Sequence, residues 1–194
     1  VWNDMNEPAV MEVPNKTFPM DVRHVYDGNP CSHRKAHNIY GMQMARATYH
    51  GVKRFSYPKR PFVITRSAYS GTQRYTSSWT GDNVATWEHL WIANIQVQRM
   101  CISGMGFTGS DIGGFAEQPS GELYARWIQL GVFHPFCRTH SSGDHGNQEP
   151  WAFDEEVIDI TRKFVSLRYQ LLPYLYTMFW QYIEEGIPML KPLV

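Results

Sequence analysis

Two acidic segments of this 194-residue sequence have residue types that suit catalysis. The segment 2–8, Trp-Asn-Asp-Met-Asn-Glu-Pro, places Asp4 and Glu7 directly after a short apolar run, and Asp82 ends a polar loop further along the chain. Taken alone, either segment also fits an Asx turn or a helix N-cap. Asn83 is itself a good capping residue, so we expect it to cap the following helix and leave Asp82 available. Two such carboxylates could serve as nucleophile and as general acid.

The elements that must hold these side chains alternate between two patterns. Short β-prone runs predict strands over 1–4, 62–66, 76–82, 105–111 and near 135–140. Periodic segments predict four helices. The first runs from Ser32 or His37 to Gly51, the second from an Asn83 cap to Gly104, and the third follows Pro119-Ser120. The fourth runs from an Asp154 cap to Gly186, and Pro173 should kink or divide it. Strands that alternate with helices indicate a parallel α/β fold.

Charged residues follow the apolar runs. Asp4, Arg66 and Asp111 each come directly after one of them. A β/α barrel builds its active site at the carboxyl ends of its strands. A doubly wound sheet would usually show a glycine-rich phosphate loop that opens a helix, and no glycine cluster in the sequence has that spacing. We therefore expect a barrel.

Composition narrows the classes of function. Lysines plus arginines (18) balance aspartates plus glutamates (18), so we expect no nucleic-acid partner. An apolar share of 43 % with 19 % charged residues excludes a disordered chain. No run of 18 uninterrupted apolar residues occurs, so we predict no membrane span, and no targeting segment is present from which to predict a compartment.

Histidines and cysteines are present, but not at the spacing of a zinc site. His33 and His37 are four residues apart, and the segment 134–145 holds three histidines and Asp144. No HExxH motif occurs, and the three cysteines are far apart. We predict neither a metal site nor a disulfide framework.

Two carboxylates on different barrel strands, together with Arg66, His140 and several aromatic residues, match the needs of glycoside hydrolysis. One carboxylate must be ionised, to attack or stabilise the anomeric carbon of the sugar. The other must carry a proton for the departing oxygen. A neutral sugar also needs hydrogen-bonding groups for its hydroxyls and an apolar surface for its C–H faces.

Six motifs, in order along the chain, resemble glycoside hydrolase family 31 in its α-glucosidase branch. They are Trp-Asn-Asp-Met-Asn-Glu-Pro at 2–8, Thr-Arg-Ser at 65–67, Gly-Thr-Gln-Arg-Tyr at 71–75, Trp-Thr-Gly-Asp-Asn at 79–83, Gly-Ser-Asp-Ile-Gly-Gly-Phe at 109–115 and Pro-Phe-Cys-Arg-Thr-His at 135–140. Related branches such as α-xylosidases typically carry Asp-Phe-Gly-Glu at the nucleophile. The Asp-Met-Asn-Glu at 4–7 therefore points to α-glucosides.

The resemblance implies a fold and a reaction. The fold is the C-terminal part, about strands 4–8, of a (β/α)8 TIM barrel, with residues 1–194 forming a partial catalytic domain cut from a longer multidomain chain. The reaction is that of a retaining exo-α-glucosidase, which releases terminal non-reducing α-linked glucose through a covalent glucosyl-enzyme. The resemblance implies no cofactor.

The resemblance also implies roles for individual residues. Asp4 is implied as the nucleophile and Asp82 as the acid/base. The residues implied to bind the sugar are Met5, Arg66, Trp79, Asp111, Phe115 and His140. The partner is then an α-glucoside oligosaccharide.

One alternative is a non-catalytic protein that binds α-glucans or oligosaccharides without turnover. Such a protein could lose either acid, and this sequence keeps both, which favours the enzyme. A barrel of only five strands cannot close and leaves two unpaired edges. We therefore expect the isolated 194-residue chain to lack activity and to self-associate through these edges.

Overall fold

The fold was obtained as a computed structural model that describes residues 1–193. Val194, the last residue of the predicted domain, lies outside the described residues. The chain divides into two compact units, of which unit 1 is Val1–Ser78 and unit 2 begins at Trp79. None of the helices within residues 1–193 is long and apolar enough to cross a membrane.

Unit 1 contains a parallel sheet and a hairpin. Its elements are β1 (Trp2–Asn3), β2 (Arg23–Tyr26), β3 (Asn29–Ser32), α1 (His33–Phe55), β4 (Ile64–Thr65), a 3-10 helix (Thr72–Arg74) and β5 (Ser77–Trp79), which spans the boundary between the units. β1 and β4 are parallel, with Asn3 opposite Thr65. β4 and β5 are also parallel, with Thr65 opposite Ser78. Because α1 lies between β1 and β4 in the chain, the three form a β-α-β unit.

The hairpin of β2 and β3 was not predicted. The two strands are antiparallel, with Tyr26 opposite Asn29, so Asp27 and Gly28 form a two-residue turn. Both turn residues have positive φ, 49° and 80°. An Asp-Gly pair suits a type I′ turn, in which both central residues adopt this conformation.

Unit 2 repeats the alternation of strands and helices. Its elements are α2 (Trp87–Ile102), β6 (Thr108–Gly109), β7 (Asp111–Ile112), α3 (Gly121–Gly131), β8 (Arg138–Thr139), a 3-10 helix (Pro150–Ala152) and α4 (Glu155–Glu185). β7 and β8 are parallel, with Asp111 opposite Arg138. The Thr80 N–H donates to the Gly109 carbonyl at 3.1 Å. Strands are therefore present in all five predicted ranges.

Two helix ends differ from those predicted, the start of α2 and the end of α1. Asn83 does not cap α2, because its side chain is buried and its Oδ1 accepts from the Thr80 hydroxyl at 2.5 Å. Thr86 caps the helix instead, accepting from the His89 N–H at 3.2 Å. α1 continues past Gly51 to Phe55.

The predicted ends of the last helix are confirmed. The Asp154 carboxylate accepts from the Val157 N–H at 3.0 Å, and Gly186 adopts a left-handed φ of 74° after the last turn. Pro173 lies inside α4 and does not divide it.

The core of unit 2 is formed by residues of α2, β7, α3 and α4. Its buried members are Ala93, Ile112, Leu123, Tyr124, Trp127, Ile128, Val132 and Val157. A Cβ on Gly131 would lie 2.5 Å from Cδ1 and Cγ1 of Ile112, so a larger residue at this position of α3 would force the Ile112 side chain to move. The indole N–H of Trp127 donates to Ser110 Oγ at 3.0 Å. This packing fixes β7, and with it Asp111.

Candidate active site

In unit 1, acidic and basic side chains meet at the carboxyl ends of two neighbouring parallel strands. Asp4 follows β1 and Arg66 follows β4. The Arg66 guanidinium places Nε 3.0 Å from Glu7 Oε1 and Nη1 3.7 Å from Asp4 Oδ1. The three side chains are 27 to 34 % exposed, so solvent reaches all of them. No separate role was predicted for Glu7, and it is the closer partner of Arg66.

The loop that carries Asp4 is fixed by Asn6, which is fully buried. Its Nδ2 donates to Thr65 Oγ1 at 2.8 Å, and its Oδ1 accepts from the Ser67 N–H at 2.9 Å. Met5 adopts a left-handed φ of 55°, and its Sδ lies 3.1 Å from Arg66 Nη1. Asn6 therefore joins the loop after β1 to the loop after β4.

The net charge of this part of the site favours substrates on which positive charge develops. Two carboxylates share one guanidinium, so the formal charges of Asp4, Glu7 and Arg66 sum to −1. Positive charge that develops on a bound substrate is stabilised by such a group. Oxocarbenium-like transition states of glycoside cleavage carry such charge.

In unit 2, the loop after β5 and the loop after β7 are joined by backbone hydrogen bonds. The Asn83 carbonyl accepts from the N–H groups of Phe115 and Ala116, at 2.6 and 3.1 Å. These bonds hold the loop 80–86, which carries Asp82, against the loop 113–116. Asp82 itself is exposed.

The loop after β8 joins the same assembly. The Phe115 carbonyl accepts from the Ser142 N–H at 2.9 Å. The rings of Phe115 and His140 are stacked, with centroids 5.3 Å apart and an interplanar angle of 29°. Asp82, Phe115 and His140 are thus carried by loops that are bonded to one another.

Asp111 is fully buried and forms an ion pair. Its Oδ1 accepts from Arg138 Nη2 at 2.6 Å, and the Arg138 guanidinium lies 5.4 Å from the ring centroids of both Trp79 and Phe136. Burial raises the pKa of the Asp111 carboxyl to about 6, although Arg138 opposes this; the charge of Asp82 raises the pKa further. Trp79 is 3 % exposed.

The structure thus places the eight predicted site residues in two groups. Unit 1 holds Asp4, Met5 and Arg66, and unit 2 holds Trp79, Asp82, Asp111, Phe115 and His140. Their individual roles stay predictions. Sequence reasoning gave no role to Asn6 or Arg138. Asn6 lies inside the first motif, and Arg138 lies in the last one, two residues before His140. Their positions within these motifs could have identified both as residues of the site.

The histidines near the start of α1 form a cluster of their own. Fully buried His33 contacts His24 (Nδ1 to Nε2, 2.9 Å) and the Thr17 hydroxyl (3.1 Å). Burial lowers the pKa of His33, and the neighbouring His24 and His37 lower it further by smaller amounts. Within residues 1–193, no three His, Cys, Asp or Glu side chains are arranged to hold a metal ion.

Comparison with known proteins agrees with this geometry. Residues 1–178 match the model of the glycosyl hydrolases family 31 TIM-barrel domain. The whole chain is 48 % identical to alpha-glucosidase 2 of Bacillus thermoamyloliquefaciens, covering 24 % of that protein. It is 45 % identical to the glucosidase 2 subunit alpha of Saccharomyces cerevisiae, covering 20 % of that protein.

A solved structure shows the same fold. The crystal structure of a Tris-bound glucosidase II alpha subunit superposes with a TM-score of 0.92 at 41 % identity, over 98 % of this chain and 20 % of the other. The chain thus spans about a fifth to a quarter of the length of these relatives. The parallel α/β structure described above is part of a TIM barrel, and the chain belongs to glycosyl hydrolase family 31.

Proposed function

We propose that this chain is part of the catalytic barrel of a retaining exo-α-glucosidase, which hydrolyses terminal non-reducing α-linked glucose from oligosaccharides. The observation that carries the proposal is the group of Asp4, Glu7 and Arg66 at the carboxyl ends of β1 and β4. Relatives that match the whole chain at 45 to 48 % identity are named as glucosidases, which supports it.

The reaction needs two displacements. In the first, an oxygen of Asp4 forms a bond to the anomeric carbon while the bond to the leaving oxygen breaks, and Asp82 gives its proton to that oxygen. In the second, Asp82 takes a proton from water, the water oxygen attacks the anomeric carbon, and the bond to Asp4 breaks. Two inversions at one carbon give net retention.

Of the six residues predicted to bind the sugar, four would contact it directly. Arg66 and His140 would form hydrogen bonds to hydroxyl groups. Met5 and Phe115, which are not buried, would contact the C–H faces. Trp79 is buried beneath Arg138, so we expect it to support the site more than to contact the sugar.

We further propose that residues 1–194 work within a longer multidomain protein. Among the described residues, β1 pairs only with β4 and β8 only with β7, so each unit has an unpaired strand edge. Such edges pair readily with other chains. The isolated chain should therefore self-associate and show no hydrolysis of an aryl α-glucoside. Light scattering and a hydrolysis assay test this, and an active monomer would contradict it.

The central test uses the full-length protein that contains this chain. Hydrolysis of an aryl α-glucoside is followed by proton NMR, which distinguishes the two anomers of the released glucose. The proposal requires α-glucose to appear first, followed by slow mutarotation. Early β-glucose would show an inverting enzyme. Glucose binding without any hydrolysis would favour the oligosaccharide-binding alternative.

A further inference from the structure

Asp111 and Arg138 form an ion pair but differ in their exposure to solvent, which indicates that the two residues have different roles. We propose that Arg138 is the member that hydrogen-bonds the sugar, and that Asp111 is a positioning residue that holds the guanidinium. The inference rests on the proposed α-glucosidase function and deepens it by adding a sugar-binding residue.

Burial argues against direct contact between Asp111 and a ligand. The residue is 0 % exposed, and its second oxygen, Oδ2, is also buried and accepts no hydrogen bond from any residue in 1–193. A sugar hydroxyl is about the size of a water molecule, so a carboxylate that water does not touch is closed to it as well. The Arg138 side chain, in contrast, is 21 % exposed.

The surroundings of Arg138 hold it in one orientation. Nη2 is anchored on Asp111 Oδ1 at 2.6 Å, and the guanidinium carbon Cζ lies 5.4 Å from the centroids of two aromatic rings, those of Trp79 and Phe136. The strand register adds a backbone constraint, because Asp111 and Arg138 are direct partners in β7 and β8. Little side-chain freedom is left to lose when a ligand binds.

The chemistry of the pair fits the same roles. A guanidinium has five N–H donors in a rigid fork, so one can contact Asp111 while others point to a hydroxyl oxygen. Lysine carries the same charge but has neither the planar fork nor the stacking face. A buried carboxylate is an effective anchor because its bond to the guanidinium is charge-assisted.

A double-mutant cycle in the full-length protein tests the inference. The variants are Arg138→Met, Asp111→Asn and the double variant, with Arg138→Lys as the conservative change. Glucose binding is measured by calorimetry, and KM and kcat are measured with an aryl α-glucoside. Circular dichroism checks that each variant is folded. Arg126→Met, at an exposed arginine of α3, is the matched control and should change nothing.

We expect Arg138→Met to weaken glucose binding about 10- to 100-fold, with Arg138→Lys failing to restore it. Asp111→Asn should also weaken binding, but should cause no further loss once Arg138 is Met. A full additional loss in the double variant would show that Asp111 contacts the sugar independently. Unchanged binding in Arg138→Met would equally overturn the inference.

The same experiment separates this inference from the proposed function. Asp4→Asn should abolish hydrolysis but keep glucose binding. If the unmodified protein binds glucose without hydrolysing the aryl glucoside, the proposed function fails, and the binding cycle still reports on Arg138.

Discussion

Asn6 and Thr65, both fully buried, are joined by a hydrogen bond of 2.8 Å from Nδ2 to Oγ1. This bond connects the loop that carries Asp4 to the strand that precedes Arg66. Because Asn6 also accepts from the Ser67 N–H, one side chain holds together the loops that follow β1 and β4. The geometry of the acidic group therefore depends on a residue that is closed to solvent.

The first prediction concerns this asparagine. Asn6→Ala leaves buried donors and acceptors without partners, so it should lower the free energy of unfolding by about 3 kcal/mol. It should also lower kcat in the full-length protein, because Asp4 and Arg66 are no longer held in place. Chemical denaturation and steady-state kinetics measure both effects. Asn38→Ala, at an exposed asparagine of α1, is the control, and an equal loss there would contradict the prediction.

The second prediction is that Asp4 forms the covalent intermediate. Incubation of the full-length protein with 5-fluoro-α-glucosyl fluoride should trap a glycosyl ester at the nucleophile. Mass spectrometry of a protease digest should place the added mass on Asp4. A label on Glu7, which is the closer partner of Arg66, would reverse the roles that we assign to the two carboxylates.

The third prediction concerns Asp82 as the acid/base. Asp82→Ala should slow cleavage of alkyl or sugar leaving groups by a factor of about 100 or more, because these need protonation. Aryl glucosides with acidic phenols should be affected far less in the glycosylation step. Asp144→Ala, at an exposed acid in a later loop, is the control. Equal losses for both substrate classes would exclude the acid role.

The fourth prediction is that His140 positions the sugar and does not transfer a proton in the reaction. Its ring stacks on Phe115, so His140→Ala should raise KM, lower kcat, or both. The acid limb of the pH profile of kcat/KM should stay where it is. Disappearance of that limb would instead make His140 a proton-transfer group. His145→Ala, at an exposed histidine, should leave all parameters unchanged.

The fifth prediction uses His134, which is 1 % exposed. Burial, with a smaller effect of Arg168, lowers the pKa of His134 from 6.5 to about 4. The folded state then binds fewer protons than the unfolded state between these values, so the contribution of His134 to stability falls as the pH falls from 6.5 to about 4. The full loss is about 3 kcal/mol.

His134→Leu should remove this dependence. The difference in unfolding free energy between His134→Leu and the unmodified protein should therefore shift in favour of the variant between pH 7 and pH 4. Taking the difference also cancels the opposite effect of Asp111, whose raised pKa of about 6 weakens the fold as the pH rises. A difference that is independent of pH would contradict the prediction.

The sequence predicted positions along the chain better than it predicted pairings between them. The strand ranges followed from apolar runs, and the Asp154 cap of α4 followed from local hydrogen-bonding chemistry. Asn83 was predicted as a cap for the same reason, but tertiary structure buries it against Thr80. Arg138 was given no role because its partner Asp111 is 27 residues away, and only strand register brings them together.

The two hydrogen bonds that the Asn83 carbonyl accepts from Phe115 and Ala116 bear on how substrate preference could be altered. Variation of the loops at the carboxyl ends of the strands is what lets one barrel fold support many chemistries. Here the loop 80–86 and the loop 113–116 share their backbone contacts, so grafting one from a relative without the other would break those contacts. Because the Phe115 carbonyl also accepts from the Ser142 N–H, the smallest segment that can be transplanted is these two loops together with the loop after β8, and libraries designed for new specificities should vary all three together.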